Sequence, residues 1–283
     1  MKIVKHILQG TAAEKISIQE TTKTSGKFRT GLPDTIIMHF TAGRDAKSSI
    51  RTLADPSVKA SAHLVIGRDN SITQMVPFDT ISWHAGKSSW EDRVGLNKYS
   101  IGIEIDNAGR LDKQGEEYLS WFKKSYKPEE VFEGTHRNEE SSTFWHRYTE
   151  KQIEIVENIT KLLVDSYGIK TVLGHEEISP GRKTDPGPAF PLDNMRNNIL
   201  HADRQQDEPS EFEVPTTTTK DERIGLITAN KLNVRDAPTA GSNKVSEPLT
   251  KGSLVNIVGQ QGNWYKVKIE TEGWVSSDWV KTS

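Results

Sequence analysis

The apolar positions of this chain fall into short runs in its first half, one long helical stripe in the middle and brief β-prone segments at the end. Residues 35–40 form an apolar run bounded by Pro33-Asp34 and Ala42-Gly43, which predicts a buried strand. Residues 62–67 and 71–76 flank Arg68-Asp69-Asn70. Asp and Asn tolerate turn geometry, so these two runs predict a hairpin. Residues 100–105 alternate around Ile101, Ile103 and Ile105 and predict another strand. Ile153, Val156, Ile159, Leu162, Leu163 and Tyr167 recur at helical spacing after Thr149, and Gly168 closes the stripe. That stripe is core. Further helices are expected over 47–55, 115–125 and 192–202. Residues 1–30 are weakly patterned and expected to wrap the first domain.

Around residues 204–223 the pattern stops. Acidic residues, Pro209, Pro215 and a run of four Thr offer no apolar face, as in a linker. Beyond it, short β-prone runs at 225–228, 232–235, 254–258, 264–269 and 273–276 alternate with turn residues, the signature of a small β-barrel. Trp264, Tyr265, Trp274 and Trp279 suit either a binding groove or the barrel's own core. The organisation expected is a first domain over 1–203 with an insertion at about 107–147, a linker over 204–222, and a second domain over 223–283.

Composition narrows the function. A length of 283 residues fits about two domains. With 34% hydrophobic and 27% charged residues, the chain is polar but not disordered in character. A net charge of -2 gives no nucleic-acid footprint. Without cysteine there is no disulfide framework, and any metal must be held by His and carboxylate. No run is long or apolar enough to span a bilayer, so no membrane partner is expected. The apolar core of residues 1–10 is too short for a secretory signal, which predicts a cytoplasmic protein, one exported without a standard leader, or one whose leader has been cut away. A monomer is expected.

The candidate chemistry gathers on residues 173–188, Leu-Gly-His-Glu-Glu-Ile-Ser-Pro-Gly-Arg-Lys-Thr-Asp-Pro-Gly-Pro. Three prolines lack the amide donor and the glycines allow unusual backbone angles, so the segment reads as a stiffened loop and not a helix. His175 and Asp185 are both acceptable zinc ligands, and Lys183 places an ammonium two residues from Asp185. His39 lies near the C-terminal end of its strand, where sites in α/β sheets gather. A core histidine there is the alternative. Trp83-His84 could line a cleft or pack at a strand end. Glu104 on an apolar strand suggests a carboxylate with a partner or a task, unless alternation turns it to solvent. His136 and His146 have no ligand-like framing and are expected on the surface.

Five ordered motifs carry a family resemblance. They are Ile-Met-His39-Phe-Thr-Ala-Gly; Ser-Ala-His63-Leu-Val-Ile; Trp83-His84-Ala-Gly with Trp90 beyond; Asn97 leading to Ser-Ile-Gly-Ile-Glu104; and Gly-His175 through Arg182-Lys183-Thr-Asp185-Pro-Gly-Pro. Together they resemble the zinc-dependent N-acetylmuramoyl-L-alanine amidases, the family that includes peptidoglycan recognition proteins, in wording nearest the recycling-type branch. The C-terminal stretch, with Leu232-Asn-Val-Arg235, Trp264-Tyr-Lys-Val and Gly273-Trp-Val, looks like a bacterial SH3-like domain. The resemblance implies an α/β fold, a mixed central sheet flanked by helices, plus a small C-terminal SH3-like β-barrel. It implies Zn2+ on His39, His175 and Asp185, Glu104 as general base and acid, and Lys183 on the oxyanion. His84, Trp90 and Arg182 would hold substrate. The implied substrate is peptidoglycan or a muropeptide, cut between N-acetylmuramic acid and L-alanine, with the SH3-like domain directing the enzyme to wall. Two alternatives stand beside it: a cytoplasmic recycling enzyme on soluble anhydro-muropeptides, and a non-catalytic wall-binding protein. The chain departs from the family pattern at Phe40, where many relatives carry His or Tyr, in the length of its insertion, and in joining an SH3-like module to a recycling-type domain.

Overall fold

A computed structural model of the chain describes residues 1–200, 223–227, 231–239, 242–250, 253–261, 264–268, 272–276 and 280–282. The expected linker lies outside the described residues. The chain divides into two units, Met1–Leu192 and Asp193–Ser283.

The first unit is built on a six-stranded sheet. Its strands are β1 (Ile16–Ile18), β2 (Thr35–Phe40), β3 (Leu64–Ile66), β4 (Ile72–Gln74), β5 (Ser100–Ile105) and β6 (Thr171–Gly174), in the order β6-β2-β5-β3-β4-β1. The pairs β6–β2, β2–β5, β5–β3 and β4–β1 are parallel, whereas β3 and β4 form the expected antiparallel hairpin. All of Leu64, Val65 and Ile66 are buried, as are residues 35–39, so both faces of the sheet are covered. This explains why β2 and β3 read as continuous apolar runs.

Helix α1 (Ala46–Ala54) is capped by Asp45, whose side chain accepts from Ser48 N, and packs Ala46, Ile50, Leu53 and Ala54 on Val65 and Met75. Helix α2 (Glu150–Tyr167) starts at Thr149, whose hydroxyl accepts from Gln152 N, and ends at Gly168 in the left-handed region. Its stripe of Ile153, Val156, Ile159 and Leu163 is buried. Residues 1–30 are more ordered than the pattern suggests: they supply short strands, one of which is the edge strand β1.

The insertion differs from expectation. In place of a helix over 115–125 it forms an antiparallel sheet, in the order Ser125–Tyr126, Glu117–Leu119, Arg110–Gln114, Ser142–His146, Val131–Thr135. Gly115 at φ +60° makes the first turn, a conformation that ends any helix there. Ala108, Leu111, Phe122, Tyr126 and Val131 give this sheet its own small core. His146, expected on the surface, is buried. Its Nδ1 accepts from Ala108 N at 3.0 Å, while its carbonyl accepts from Asn107 Nδ2 at 2.8 Å, so it ties the two ends of the insertion together.

In the C-terminal unit, antiparallel strands run in the order Glu272–Ser276, Trp264–Lys268, Leu254–Gln261, Arg223–Ile227, Val280–Thr282. Ile227, Leu232, Val234, Val255, Ile257, Val267 and Val280 form its core, with Tyr265 packed against it. Tyr265 thus takes the core alternative. Trp279 and the side chain of Trp274 lie outside the described residues.

Candidate metal centre

His39 and Glu104 occupy matching positions on the adjacent parallel strands β2 and β5, one residue from the C-terminal end of each. Paired positions send their side chains to the same face. Strand β6, on the other side of β2, ends at Gly174, and His175 follows at once. Residues 175–178 form one helical turn, contrary to the expected loop. The prolines begin only at Pro180, and Glu177 Oε2 caps the turn by accepting from Gly174 N at 2.8 Å. The rest of the segment is the irregular chain foreseen, and it carries Asp185 back to the sheet: Glu176 N donates to Asp185 O at 2.9 Å.

Three ligand atoms meet there. His39 Nδ1, His175 Nδ1 and Asp185 Oδ2 lie 2.9 Å from one another in all three pairs, and all three residues are buried. The protons on the imidazoles follow from what surrounds them. His84 Nε2 faces the Ser100 carbonyl at 3.1 Å, which only accepts, so His84 carries its proton there. His84 Nδ1 must then accept from His39 Nε2 at 3.0 Å. His175 Nε2 likewise donates to the Ala85 carbonyl at 3.1 Å. Both ligand nitrogens are therefore bare lone pairs facing a carboxylate oxygen. Three acceptors at this spacing repel one another unless a cation lies among them, so the residues present fit a divalent metal. Burial above all lowers His39 to about 4 and keeps it neutral, as a ligand must be. His84 is also held well below its ordinary value, first by burial and then by His39.

Glu104 is the unpaired acid of the centre. Its Oε2 is buried with no hydrogen-bond partner among the described residues. Desolvation, with Asp185 adding to it and Lys183 opposing, pushes the carboxyl up to about 8. Lys183 is half-buried, and its charge reaches both Glu104 and His39.

The three residues expected to hold substrate sit differently from one another. His84 is buried behind His39, in van der Waals contact with Gly102, where any Cβ would collide with its ring. Trp90 is half-buried against Ile37, Ala85, Leu96, Leu173 and Ile178. Arg182 is exposed, its Nη2 donating to Lys87 O at 2.7 Å and Ser179 Oγ at 2.6 Å. Asn97 is an anchor that its sequence neighbourhood does not reveal: its Oδ1 accepts from the amides of His84 and Ala85 at 3.0 and 2.7 Å.

Residues 29–188 match the N-acetylmuramoyl-L-alanine amidase family model, and residues 230–281 match the bacterial SH3 domain. The first match covers more than half of the chain, and the protein belongs to the N-acetylmuramoyl-L-alanine amidase family. It is 34% identical over 135 residues to the 1,6-anhydro-N-acetylmuramyl-L-alanine amidase AmpD of Escherichia coli K12, covering 47% of this chain and 55% of that protein. It is 31% identical over 176 residues to the N-acetylmuramoyl-L-alanine amidase AmiD of the same organism, covering 59% and 53%. The chain spans about half the length of the curated relatives it matches. Among solved structures, a crystal structure of a selenomethionine AmpD derivative aligns at 26% identity and a TM-score of 0.45, over 67% of this chain and 94% of that one.

Proposed function

We propose that this protein is a zinc-dependent amidase that hydrolyses the bond between the lactyl group of N-acetylmuramic acid and L-alanine. The observation that carries the reading is the triangle of bare His39 Nδ1, bare His175 Nδ1 and Asp185 Oδ2, with an unpaired carboxyl, Glu104, on the neighbouring strand. Two neutral imidazoles and one carboxylate are a donor set of catalytic zinc sites. Zinc held there would supply a Lewis acid and an ionised water at neutral pH.

The chain's own residues would do the rest. Glu104 takes a proton from the attacking water and returns it to the departing L-alanine amine; a desolvated carboxyl of raised pKa beside a cation is suited to both directions. Lys183 places its ammonium where negative charge develops on the carbonyl oxygen, a contribution on the order of 3 kcal/mol in comparable sites. His84 fixes the tautomer and the orientation of His39, and so acts through the ligand and not on substrate. Arg182, tied to three backbone and hydroxyl oxygens, has a fixed guanidinium for a carboxylate of the stem peptide.

The substrate is polymeric wall, with soluble anhydro-muropeptide as the second reading. The SH3-domain match at residues 230–281 supports the first, and the likeness to a 1,6-anhydro-muropeptide amidase supports the second. Rates on intact sacculi and on soluble fragments, compared directly, separate the two. Faster turnover of soluble fragments, with sacculi left intact, rejects wall as the substrate.

A further inference from the structure

The insertion reaches the metal centre from behind. Its residues His136, Arg137 and Asn138 all end on Glu176, the residue next to the ligand His175. His136 Nε2 donates to Glu176 Oε2 at 2.7 Å, Arg137 Nε to Oε1 at 2.8 Å, and Asn138 Nδ2 to the Glu176 carbonyl at 3.1 Å. Asn138 N in turn donates to His136 Nδ1 at 3.2 Å, which fixes the proton of His136 on Nε2. His136, expected on the surface, is 1% exposed and Glu176 2%. A carboxylate this buried needs its partners, because unpaired it would bear its desolvation cost uncompensated.

Glu176 also holds the loop of the third ligand. Its amide donates to the Asp185 carbonyl at 2.9 Å, and its Oε2 accepts from Gly187 N at 3.1 Å. Glu176 thus holds the Asp185 loop twice, with its backbone on Asp185 and its side chain on Gly187, while it directly follows His175 in the chain. Below the loop lies Trp145 of the insertion. A Cβ on Gly187 would stand 3.0 Å from its ring, and His136 stacks on the same ring at 5.6 Å. Arg137 continues to Glu177 Oε1 at 2.6 Å, the residue that caps the His175 turn.

We propose that His136, Arg137 and Asn138 are positioning residues that clamp Glu176, set the spacing of His175 and Asp185, and so tune the affinity of the centre for its metal. The insertion is then part of the metal site's support. This rests on the metal reading of the His39, His175 and Asp185 cluster, but not on the reaction.

The test is zinc affinity of the full chain, measured by chelator competition at fixed pH. Circular dichroism of the metal-free protein reports whether each variant is folded. His136→Phe removes the donor but keeps the stacking on Trp145. His136→Gln keeps a donor at similar reach, and Arg137→Met removes the second donor. A folded His136→Phe should bind zinc about 10–100-fold more weakly, the usual range for such partners. Arg137→Met should weaken binding in the same direction, while His136→Gln stays close to the parent. Should His136→Phe fail to fold, Arg137→Met decides. Parent-like zinc affinity in the folded donor-free variants overturns the clamp, as does an equal loss in His136→Gln and His136→Phe. A parent protein that takes up no zinc overturns the metal reading itself.

Discussion

His39 Nε2 lies 3.0 Å from His84 Nδ1, and that contact decides which nitrogen of His39 is free to bind a metal. His84 is itself fixed by the Ser100 carbonyl and by close packing on Gly102. Removing the ring should leave His39 able to rotate or to protonate on the wrong nitrogen. His84→Ala is expected to lower zinc affinity by about 10–100-fold, with the protein still folded. Chelator competition checks this, and an unchanged affinity removes His84 from the support of the site.

Glu104 and Lys183 make separable predictions. Glu104→Gln should retain zinc and lose turnover by about 10²–10⁴-fold, the range for a missing general base. Lys183→Met should cost about 10²–10³-fold, mainly in kcat, because its partner charge exists in the transition state. Steady-state kinetics on a muramoyl-peptide, with zinc content measured alongside, distinguishes lost chemistry from lost metal.

The metal-free protein should carry a pH signature of Glu104. Its carboxyl titrates at about 8 when folded, against an ordinary value of 4.5. Between those values the folded chain keeps a proton that the unfolded chain has released. Stability should therefore fall as pH rises from about 4.5 to 8, by an amount on the order of 4 kcal/mol. Glu104→Gln abolishes this dependence, so its advantage in thermal midpoint over the parent should grow from pH 5 to pH 8. Parallel midpoints across that range would contradict the desolvated carboxyl.

The C-terminal unit, with its own core, should matter for polymer and not for fragments. A chain ended at residue 203 is expected to hydrolyse soluble muropeptides at the parent rate and to lose activity on sacculi. Sedimentation with purified wall should show the same loss of binding. Equal activity of both forms on sacculi would leave the unit without a targeting role.

What the sequence revealed follows physical rules. His39 and Glu104 were legible because both interrupt apolar strand runs, and His175 and Asp185 because glycine and proline frame them. The strands and α2 were legible from apolar period and caps. The insertion was not. Its charged hairpins turn at Gly115 and Lys123, and its small apolar cluster is drawn from residues scattered over 108–144 at no fixed spacing, so no local period marks it. His136 and His146 read as surface groups because their partners are remote: Glu176 is 40 residues from His136, and Ala108 is 38 from His146. His84 read equally as a cleft residue or as one packed at a strand end, because the sequence shows its neighbours Trp83 and Gly86 but not the Ser100 carbonyl that accepts from its Nε2.

The most direct measurement of the central claim combines metal analysis with mass spectrometry of the products from a muramoyl-peptide. The account predicts one zinc per chain, lost in Asp185→Ala, and a single cleavage that frees the stem peptide with an intact L-alanine amino terminus. Cleavage that continues after the metal is stripped, or that falls at any other bond, would contradict it.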